Sequence, residues 1–180
     1  MHGIIYSEFR KFVVQRWDGS MWQRILKNAG SQEAHYLIKK TYPDEDFMAL
    51  IAATMEASEV PEQVFLTEFG AFIAPNLFKL YRSVIPEHWK TLDLLENTED
   101  TIHKIVRMKT PGALPPMLSC KRKSTQEVLI SYQSPRKMCA LAEGIIQGVA
   151  HIYDEKVAIK QTSCMLRGDA KCLISITLDR

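Results

Sequence analysis

Three polar side chains, Tyr132, Ser134 and Arg136, occur at every second position of the stretch Tyr-Gln-Ser-Pro-Arg. In an extended segment, residues two apart project to the same face, so a phenol, a hydroxyl and a guanidinium can converge. The guanidinium can donate two parallel hydrogen bonds to a carboxylate, and each hydroxyl can add one more. The spacing therefore predicts an anion-binding site that suits carboxylates. Taken singly, the same residues would be a strand residue, a helix cap and a surface cation.

A histidine upstream of this motif is a second candidate for chemistry. His103 is one of five histidines and lies at the edge of an apolar helical stripe that includes Ile102 and Val106. Neutral imidazole is a common metal ligand, but a histidine in such a position is more often a core or surface residue. The residue alone leaves both interpretations open.

Cys139, Cys164 and Cys172 form a third candidate site. A tight hairpin would bring Cys164 near Cys172, and Cys139 begins the helix that follows the anion-binding motif. Thiolates from separate elements can bind structural zinc, but tetrahedral zinc needs four ligands. The available fourth ligands are Cys120, His151, Asp169 or water. Buried free thiols and a redox pair that forms a disulfide are the alternatives to zinc.

Residues up to about 110 have the pattern of helices. Ile5, Phe9, Phe12 and Val13 follow the spacing of an amphipathic first helix. The second helix is predicted to have its N-cap at Ser20 and to stop at Gly30. The third is predicted to be capped by Asp44, and the fourth to start at Pro61. A fifth helix is predicted over roughly Leu92 to Arg107.

Beyond Pro116 the apolar period shifts toward two, which predicts strands. The strands are marked by Val128, Ile130 and Tyr132, by Val157 and Ile159, and by Ile174, Ile176 and Leu178, with a turn at Arg167-Gly168-Asp169. Ser134 is predicted to cap a long helix between them, with Pro135 in its first position, and Lys121-Arg122-Lys123 is predicted to be a solvated loop. The fold class is therefore α+β, with a helical part at about 1–110 and a small antiparallel sheet with a long helix at about 111–180.

Composition limits the classes of function. The chain has 180 residues, of which 46% are hydrophobic and 24% charged, as expected for one soluble domain. A formal net charge of +2 and the absence of a long apolar run argue against nucleic-acid binding and membrane insertion, so a cytoplasmic location is expected. No nucleophile with its base, phosphate-binding glycine loop or paired catalytic carboxylates stands out, so no enzymatic activity is expected.

These motifs, with the opening Met1-His2-Gly3-Ile4-Ile5 and the run Leu114-Pro115-Pro116, resemble the haem nitric oxide/oxygen-binding (H-NOX) domain of the bacterial stand-alone type. That family is related to the haem domain of soluble guanylate cyclase, and the resemblance covers residues 1 to about 180 as a single sensor domain. It implies a haem b cofactor with His103 as the axial ligand of the haem iron. It also implies that Tyr132, Ser134 and Arg136 hold the propionates and that Pro116 presses on the porphyrin.

The resemblance also bears on the choice of gas. Family members that hold oxygen carry a Tyr where this chain has Leu141. The implied pocket for the gas is lined by Leu141, Ile5, Phe9 and Ile145, with Ile73 and Leu77 nearby. Because such a lining offers no hydroxyl to bound oxygen, the ligands expected are nitric oxide and carbon monoxide.

The family's output implies a partner. The chain has no kinase, cyclase or phosphodiesterase segment, so the signal is expected to pass to a separate protein, a histidine kinase or a cyclic-di-GMP enzyme. Some family members bind zinc with cysteines in the C-terminal region and a His where this chain has Gln161. That departure leaves zinc as one possibility among the three given above.

A haem-independent protein of the same fold is the alternative function. The C-terminal hairpin also resembles small-molecule-binding domains of the vinyl-reductase-like group. In that case the chain would be a zinc or thiol redox sensor, or would bind a small apolar ligand. The colour of the purified protein separates these hypotheses, because haem gives a strong Soret band.

Overall fold

The computed structural model describes residues 1–31, 33 and 35–179. Its α-helices are α1 (Gly3–Arg16), α2 (Gly19–Asn28), α3 (Asp44–Ser58), α4 (Glu62–Tyr81), α5 (Thr91–Asn97), α6 (Lys104–Lys109) and α7 (Cys139–Ile152). Its strands are β1 (Met117–Ser124), β2 (Glu127–Gln133), β3 (Val157–Ser163) and β4 (Cys172–Leu178). The fold class predicted from the sequence, α+β with an antiparallel sheet, is confirmed. The chain forms two compact units, residues 1–65 with 107–114 and residues 66–106 with 115–180.

The first unit is built around aromatic side chains of α1, α3 and the start of α4. Phe9 is fully buried, and its ring centroid lies 5.2 Å from that of Phe47 and 5.7 Å from that of Phe65. Tyr6 is also fully buried and donates a hydrogen bond of 2.6 Å to the Pro43 carbonyl. The predicted amphipathic α1 is therefore confirmed, and its apolar face packs into an aromatic core.

Two predicted helix starts in this unit are wrong by one or two residues. α2 is capped by Asp18, whose Oδ1 accepts the Met21 N–H at 2.9 Å, while the Ser20 hydroxyl donates to the same carboxylate. A carboxylate accepts better than a hydroxyl, so Asp18 takes the cap and Ser20 falls inside the helix. Asp44 is the first residue of α3, whose cap position is occupied by Pro43. The predicted stop at Gly30 is confirmed by its positive φ of 64°.

The second unit contains the sheet, with strand order β1-β2-β4-β3 and every neighbouring pair antiparallel. Val128, Ile130 and Tyr132 of β2 are buried, as are Ile174 and Ile176 of β4. The predicted turn between β3 and β4 is confirmed, because a short 3-10 helix at Met165–Arg167 ends at Gly168 with a φ of 95°. None of the helices within the described ranges is both long and apolar enough to cross a bilayer.

The solvated loop predicted at Lys121-Arg122-Lys123 is wrong, because these residues belong to the edge strand β1. Arg122 points toward α5, where its Nη2 lies 2.7 Å from Asp93 Oδ1 and its Nε lies 3.0 Å from Glu96 Oε2. Lys121 and Lys123 are exposed. Edge strands often carry charged residues. β1 therefore has too few apolar residues for its sequence to show the alternation of apolar and polar positions that predicts a strand.

The predicted start of the long helix is also wrong. α7 begins at Cys139, and Ser134 and Pro135 lie in a separate turn before it. In that turn the Ser134 carbonyl accepts the Lys137 N–H at 3.1 Å, and Lys137 has a φ of 52°, which interrupts a right-handed helix. Ser134 therefore belongs to a turn, and its side chain does not cap α7.

Candidate functional site

An apolar cavity lies within the second unit. Its volume is about 160 Å³, and it is partly open to solvent. Among the residues that line it, only His103, Tyr132 and Thr98 carry polar side-chain atoms. The full lining is Ala74, Leu77, Phe78, Ile85, Leu94, Leu95, Thr98, Ile102, His103, Pro116, Leu118, Ile130, Tyr132, Ala142, Ile145, Ile146, Val149 and Ile174.

Two helices that cross at glycines form one wall of the cavity. Gly70 of α4 and Gly144 of α7 meet so closely that a Cβ on Gly144 would lie 2.0 Å from the Thr67 carbonyl oxygen. The close crossing holds α4 and α7 together, so that Ala74 and Ile145 both line the cavity. A small-residue crossing thus sets the position of the wall.

His103 reaches the cavity from a break in helical geometry. The predicted helix over Leu92 to Arg107 is in fact three segments, because a π-helical segment at Glu99–His103 separates α5 from α6. The His103 N–H bonds to the Thr98 carbonyl at 3.0 Å, the longer pattern of a π turn. A π-helical insertion of this kind changes which side chains face a site. Here the His103 imidazole, at the end of the segment, is 14% exposed and lines the cavity.

Glu99 holds one side of the imidazole. Its Oε2 lies 2.9 Å from His103 Nδ1 and also accepts the Leu118 N–H at 3.1 Å. Because a carboxylate oxygen only accepts, Nδ1 is assigned as the protonated nitrogen. This assignment makes Nε2 the nitrogen with a lone pair, which is the arrangement found in histidines that bind metals.

Tyr132 lines the cavity from β2, where it is paired with Leu118 of β1 and Cys172 of β4. Burial raises the pKa of Tyr132 to about 12, although the Ser134 hydrogen bond and the charge of Arg136 act in the opposite direction. The phenol is therefore neutral at physiological pH and can donate a hydrogen bond. The effect of Arg136 on this pKa also places its charge near the phenol.

Ser134 and Arg136 are next to Tyr132 but do not line the cavity. Ser134 is 1% exposed, and its hydroxyl accepts the Arg136 backbone N–H at 3.3 Å. Arg136 is half-buried. The structure therefore brings the three residues of the predicted motif to one turn at the end of β2, with only the first of them at the cavity surface.

The remaining predicted residues divide into three groups. Pro116, Ile145 and Leu77 line the cavity, as does His103. Leu141 and Ile73 are buried in the same unit but are absent from the lining. Ile5 and Phe9 belong to the first unit, where Ile5 is half-buried and Phe9 is part of the aromatic core.

Sequence reasoning missed two polar residues of this site. Thr98 lines the cavity, and its hydroxyl donates to the Leu94 carbonyl at 2.7 Å. Glu99 contacts the histidine directly. The signal for Glu99 was present in the sequence, because residues four apart on a helix are neighbours and a carboxylate at that distance can pair with an imidazole.

The three cysteines meet in a second cluster within the same unit. The Sγ atoms of Cys139, Cys164 and Cys172 all lie within 4.8 Å of one another, and those of Cys139 and Cys164 are 3.8 Å apart. All three residues are buried. Gln161 has a buried amide nitrogen beside this cluster, and its side chain acts on the Cys139 thiol as a hydrogen-bonding group that lowers the pKa of that thiol.

The thiols in this cluster differ in acidity. Burial raises the pKa of Cys139 to about 12 and raises the pKa of Cys172 as well. Burial acts in the same direction on Cys164, but the Leu166 backbone N–H and hydrogen bonds from the two other thiols outweigh it, so the pKa of Cys164 is lowered. Cys164 is therefore the thiol of the cluster that ionises most easily.

Comparison with known proteins identifies related chains. The family model described as Haem-NO-binding matches residues 2–161. Soluble guanylate cyclase gcy-35 of Caenorhabditis elegans is 24% identical over 174 residues, an alignment that covers 89% of this chain and 24% of that protein. The chain thus corresponds to about a quarter of the length of this curated relative. Cys164 and Cys172 lie beyond the end of the family match.

Solved structures with the same fold are H-NOX proteins. The crystal structure of an H-NOX protein from S. oneidensis in the Fe(II)NO state has a TM-score of 0.92 at 24% identity, with 100% of both chains covered. The H-NOX domain from Shewanella oneidensis in the Fe(II)CO state has a TM-score of 0.88 at 24% identity, covering 100% of this chain and 99% of that one. The unliganded Fe(II) protein from K. algicida has a TM-score of 0.89 at 19% identity, covering 100% and 97%.

Proposed function

Because the chain belongs to the haem-NO-binding family, whose domains are haem-based gas sensors and not enzymes, we propose that it binds haem b through His103 and senses nitric oxide and carbon monoxide. One observation supports this most strongly. A single imidazole, fixed through Nδ1 by a carboxylate, lines a cavity whose walls are almost entirely apolar. When bound, haem would supply a ferrous iron with one position open to a diatomic gas.

The residues around the cavity fit a porphyrin. Its apolar walls would exclude water from the macrocycle, and Pro116 lies on the lining where it would contact the ring. Two propionates that enter an apolar site need hydrogen-bond donors nearby, since a buried unpaired carboxylate is costly. The neutral Tyr132 phenol, the Ser134 hydroxyl and the Arg136 guanidinium are the donors that we assign to them.

The proposed preference for nitric oxide and carbon monoxide rests on the polar groups at the cavity. Bound oxygen carries partial negative charge and is stabilised by a hydrogen-bond donor. The Thr98 hydroxyl is already donated to the Leu94 carbonyl, and Tyr132 is assigned to the propionates. Leu141, which stands where family members that hold oxygen carry a Tyr, has no hydrogen-bond donor in its side chain. A ferrous protein whose spectrum in air shows a persistent oxygen complex would contradict this preference.

The proposed output is a change of contact with a separate signalling protein, a histidine kinase or a cyclic-di-GMP enzyme. His103 ends the π-helical segment, and Glu99 in the same segment bonds to β1. A displacement of the His103 imidazole would therefore be transmitted through Glu99 to β1. It regulates a partner only if that partner binds the two arrangements with different affinity.

The test is an absorption spectrum of the reduced protein and of His103→Ala. We expect a strong Soret band in the parent protein, a shift on addition of nitric oxide, and loss of most bound haem in the variant. Added imidazole should restore part of the ferrous spectrum by occupying the vacated position. His88→Ala is the matched control, because His88 is exposed and lies outside the cavity lining. An unchanged Soret band in His103→Ala would contradict the proposed ligation.

A second candidate function comes from the cysteine cluster, for which we propose zinc. Tetrahedral zinc with Zn–S bonds of about 2.3 Å places its sulfurs about 3.8 Å apart. The sulfurs of Cys139 and Cys164 are 3.8 Å apart, and Cys172 is close to both. Three thiols leave one position to fill, and water or the Gln161 carboxamide is available for it.

Metal analysis distinguishes zinc from its alternatives. We expect about one zinc per chain in protein purified without chelators, and loss of that zinc in Cys164→Ser. Cys120→Ser is the control, since Cys120 is outside the cluster and its Sγ donates to the Leu95 carbonyl at 3.3 Å. A metal-free protein that forms a Cys139–Cys164 disulfide with mild oxidant would favour the thiol redox alternative and contradict zinc.

A further inference from the structure

We propose that Glu99 is a positioning residue that sets the strength of the iron–His103 bond and links the imidazole to β1. The inference rests on the proposed function, in which His103 binds the haem iron. A single carboxylate oxygen, Glu99 Oε2, lies 2.9 Å from His103 Nδ1 and accepts the Leu118 N–H at 3.1 Å. The two side chains are shielded from solvent, with 25% of Glu99 and 14% of His103 exposed.

The first consequence concerns the electron density of the imidazole. A hydrogen bond from Nδ1–H to a carboxylate fixes the ring orientation and makes Nε2 a more basic ligand than one to a neutral acceptor does. A more basic axial ligand binds iron more tightly and favours the ferric over the ferrous state. Glu99 should therefore lower the reduction potential of the haem and oppose loss of the imidazole when nitric oxide binds.

The contact lies within the π-helical segment, which ties it to the backbone. The wider turn at Glu99–His103 is closed by the bond from His103 N–H to Thr98 O, and residues 99 and 103, four apart, are neighbours in this turn. The contact therefore does not depend on a flexible loop. Any rotation of the imidazole must move the carboxylate or break a hydrogen bond between charged and neutral groups that is mostly shielded from water.

The second consequence concerns β1, which is an edge strand. One side of β1 pairs with β2, and its other side faces the segment from α5 to His103. Along that side, Leu118 donates its N–H to Glu99, Cys120 donates its thiol to the Leu95 carbonyl, and Arg122 pairs with Asp93. These contacts run antiparallel along the strand and the helix, so the segment and the strand are joined along their length.

Glu99 makes the last of these contacts and is the residue among them that also contacts the His103 imidazole. Leu118 follows Pro116 by two residues, and both line the cavity with His103. Displacement of the imidazole would therefore be carried through one carboxylate to the start of β1, at the point where Pro116 faces the cavity. This arrangement offers a route by which a change at the iron ligand could alter the position of the sheet edge.

The experiment compares haem-loaded Glu99→Gln, Glu99→Asp and Glu99→Ala, each over residues 1–180, with the parent protein. Resonance Raman spectra of the ferrous forms report the iron–histidine stretch, and redox titration reports the midpoint potential. In Glu99→Gln we expect a shift of the stretch to lower frequency, a positive shift of the potential and an at least tenfold faster loss of the imidazole after nitric oxide is added, since a neutral acceptor weakens the hydrogen bond. Glu99→Asp should give values of these three quantities between those of the parent protein and those of Glu99→Gln.

The link to β1 is measured by hydrogen exchange. The Leu118 amide should exchange at least about tenfold faster in Glu99→Ala than in the parent protein, because it loses its acceptor. Glu96→Gln is the matched control for both measurements. Glu96 lies on the same helix face as Glu99 and pairs with Arg122. Glu96→Gln therefore removes a charge from that face without changing the residue that contacts the imidazole.

The outcomes separate this inference from the proposed function. Haem bound through His103 with an unchanged stretch, potential and Leu118 exchange in Glu99→Gln and Glu99→Ala would overturn the inference. So would equal shifts in Glu96→Gln, because loss of any charge on that face would then be sufficient. If Glu99→Ala fails to fold, the isosteric Glu99→Gln decides. A parent protein without haem, or with haem unaffected by His103→Ala, would overturn the proposed function instead.

Discussion

Gly70 of α4 and Gly144 of α7 face each other so closely that a Cβ on either would lie 2.9 Å from the Cα of the other. The nearest atoms to a Cβ on Gly144 are backbone atoms of Thr67, which cannot rotate away. Because Ala74 and Ile145 on these helices line the cavity, the crossing sets the position of the wall that the two helices form. The glycines are therefore needed for close packing, and helix propensity alone would favour other residues.

Gly144→Ala should reduce the free energy of unfolding by about 3 kcal/mol, because the added methyl forces α7 away from α4. Chemical unfolding followed by circular dichroism measures the change. Gly19→Ala is the control, since a Cβ at Gly19 meets nothing within 4 Å. We expect that control to change stability by less than about 1 kcal/mol. Equal stability of Gly144→Ala and the parent protein would show that the crossing tolerates a wider separation.

The strands that alternate regularly were predictable, and the edge strand was not. Ile174 and Ile176 repeat at a period of two because one face of β4 is fully buried. β1 carries Lys121 and Lys123 on its exposed positions, and its inward Arg122 is charged because it pairs with acidic residues of α5. Such a pairing depends on a segment that is distant in sequence, so local patterning cannot reveal it.

The site was predicted in part for similar reasons. His103 and Tyr132 were identified from spacing and resemblance, and both line the cavity. The π-helical segment was missed, because nothing in the periodicity of Leu92 to Arg107 marks an inserted residue. The turn at Ser134 was missed as well, since Ser followed by Pro equally suits a helix start. The positive φ of Lys137 that separates the two outcomes is a tertiary property.

Arg136→Ala should strongly reduce haem retention, because the propionates would lose their only proposed cationic partner. The ratio of Soret to protein absorbance after gel filtration measures the bound fraction, which we expect to fall severalfold. Lys160→Ala removes a cation from an exposed position on β3 and should leave the ratio unchanged. Full haem occupancy in purified Arg136→Ala would count against the proposed propionate site.

Tyr132→Phe should change how the stability of the haem-free protein depends on pH. Burial raises the pKa of Tyr132 to about 12 from an ordinary value of 10.0, so the phenol ionises earlier in the unfolded chain than in the folded one. The parent protein should therefore lose about 2 to 3 kcal/mol of stability through this group as pH rises from about 10 to about 12. Below about pH 10 the group makes no pH-dependent contribution.

The difference between the parent protein and Tyr132→Phe isolates that loss, because other groups titrate in both. Chemical unfolding at intervals between pH 8 and 12 should give a difference that is constant up to about pH 10 and then changes in favour of the variant. Parallel stability curves across this range would mean that the phenol is not buried in the folded protein.

Gln161→His should strengthen zinc binding if the three thiols form a metal site. An imidazole is a good zinc ligand, whereas a carboxamide is a poor one, and the Gln161 side chain lies within reach of the Cys139 thiol. Competition with a chromophoric chelator should show an affinity that is higher by at least about tenfold. Gln147→His places the same side chain at an exposed position of α7 and should have no effect. If Gln161→His binds zinc no better than the parent protein, the side chain of residue 161 does not reach the metal, and water completes the site.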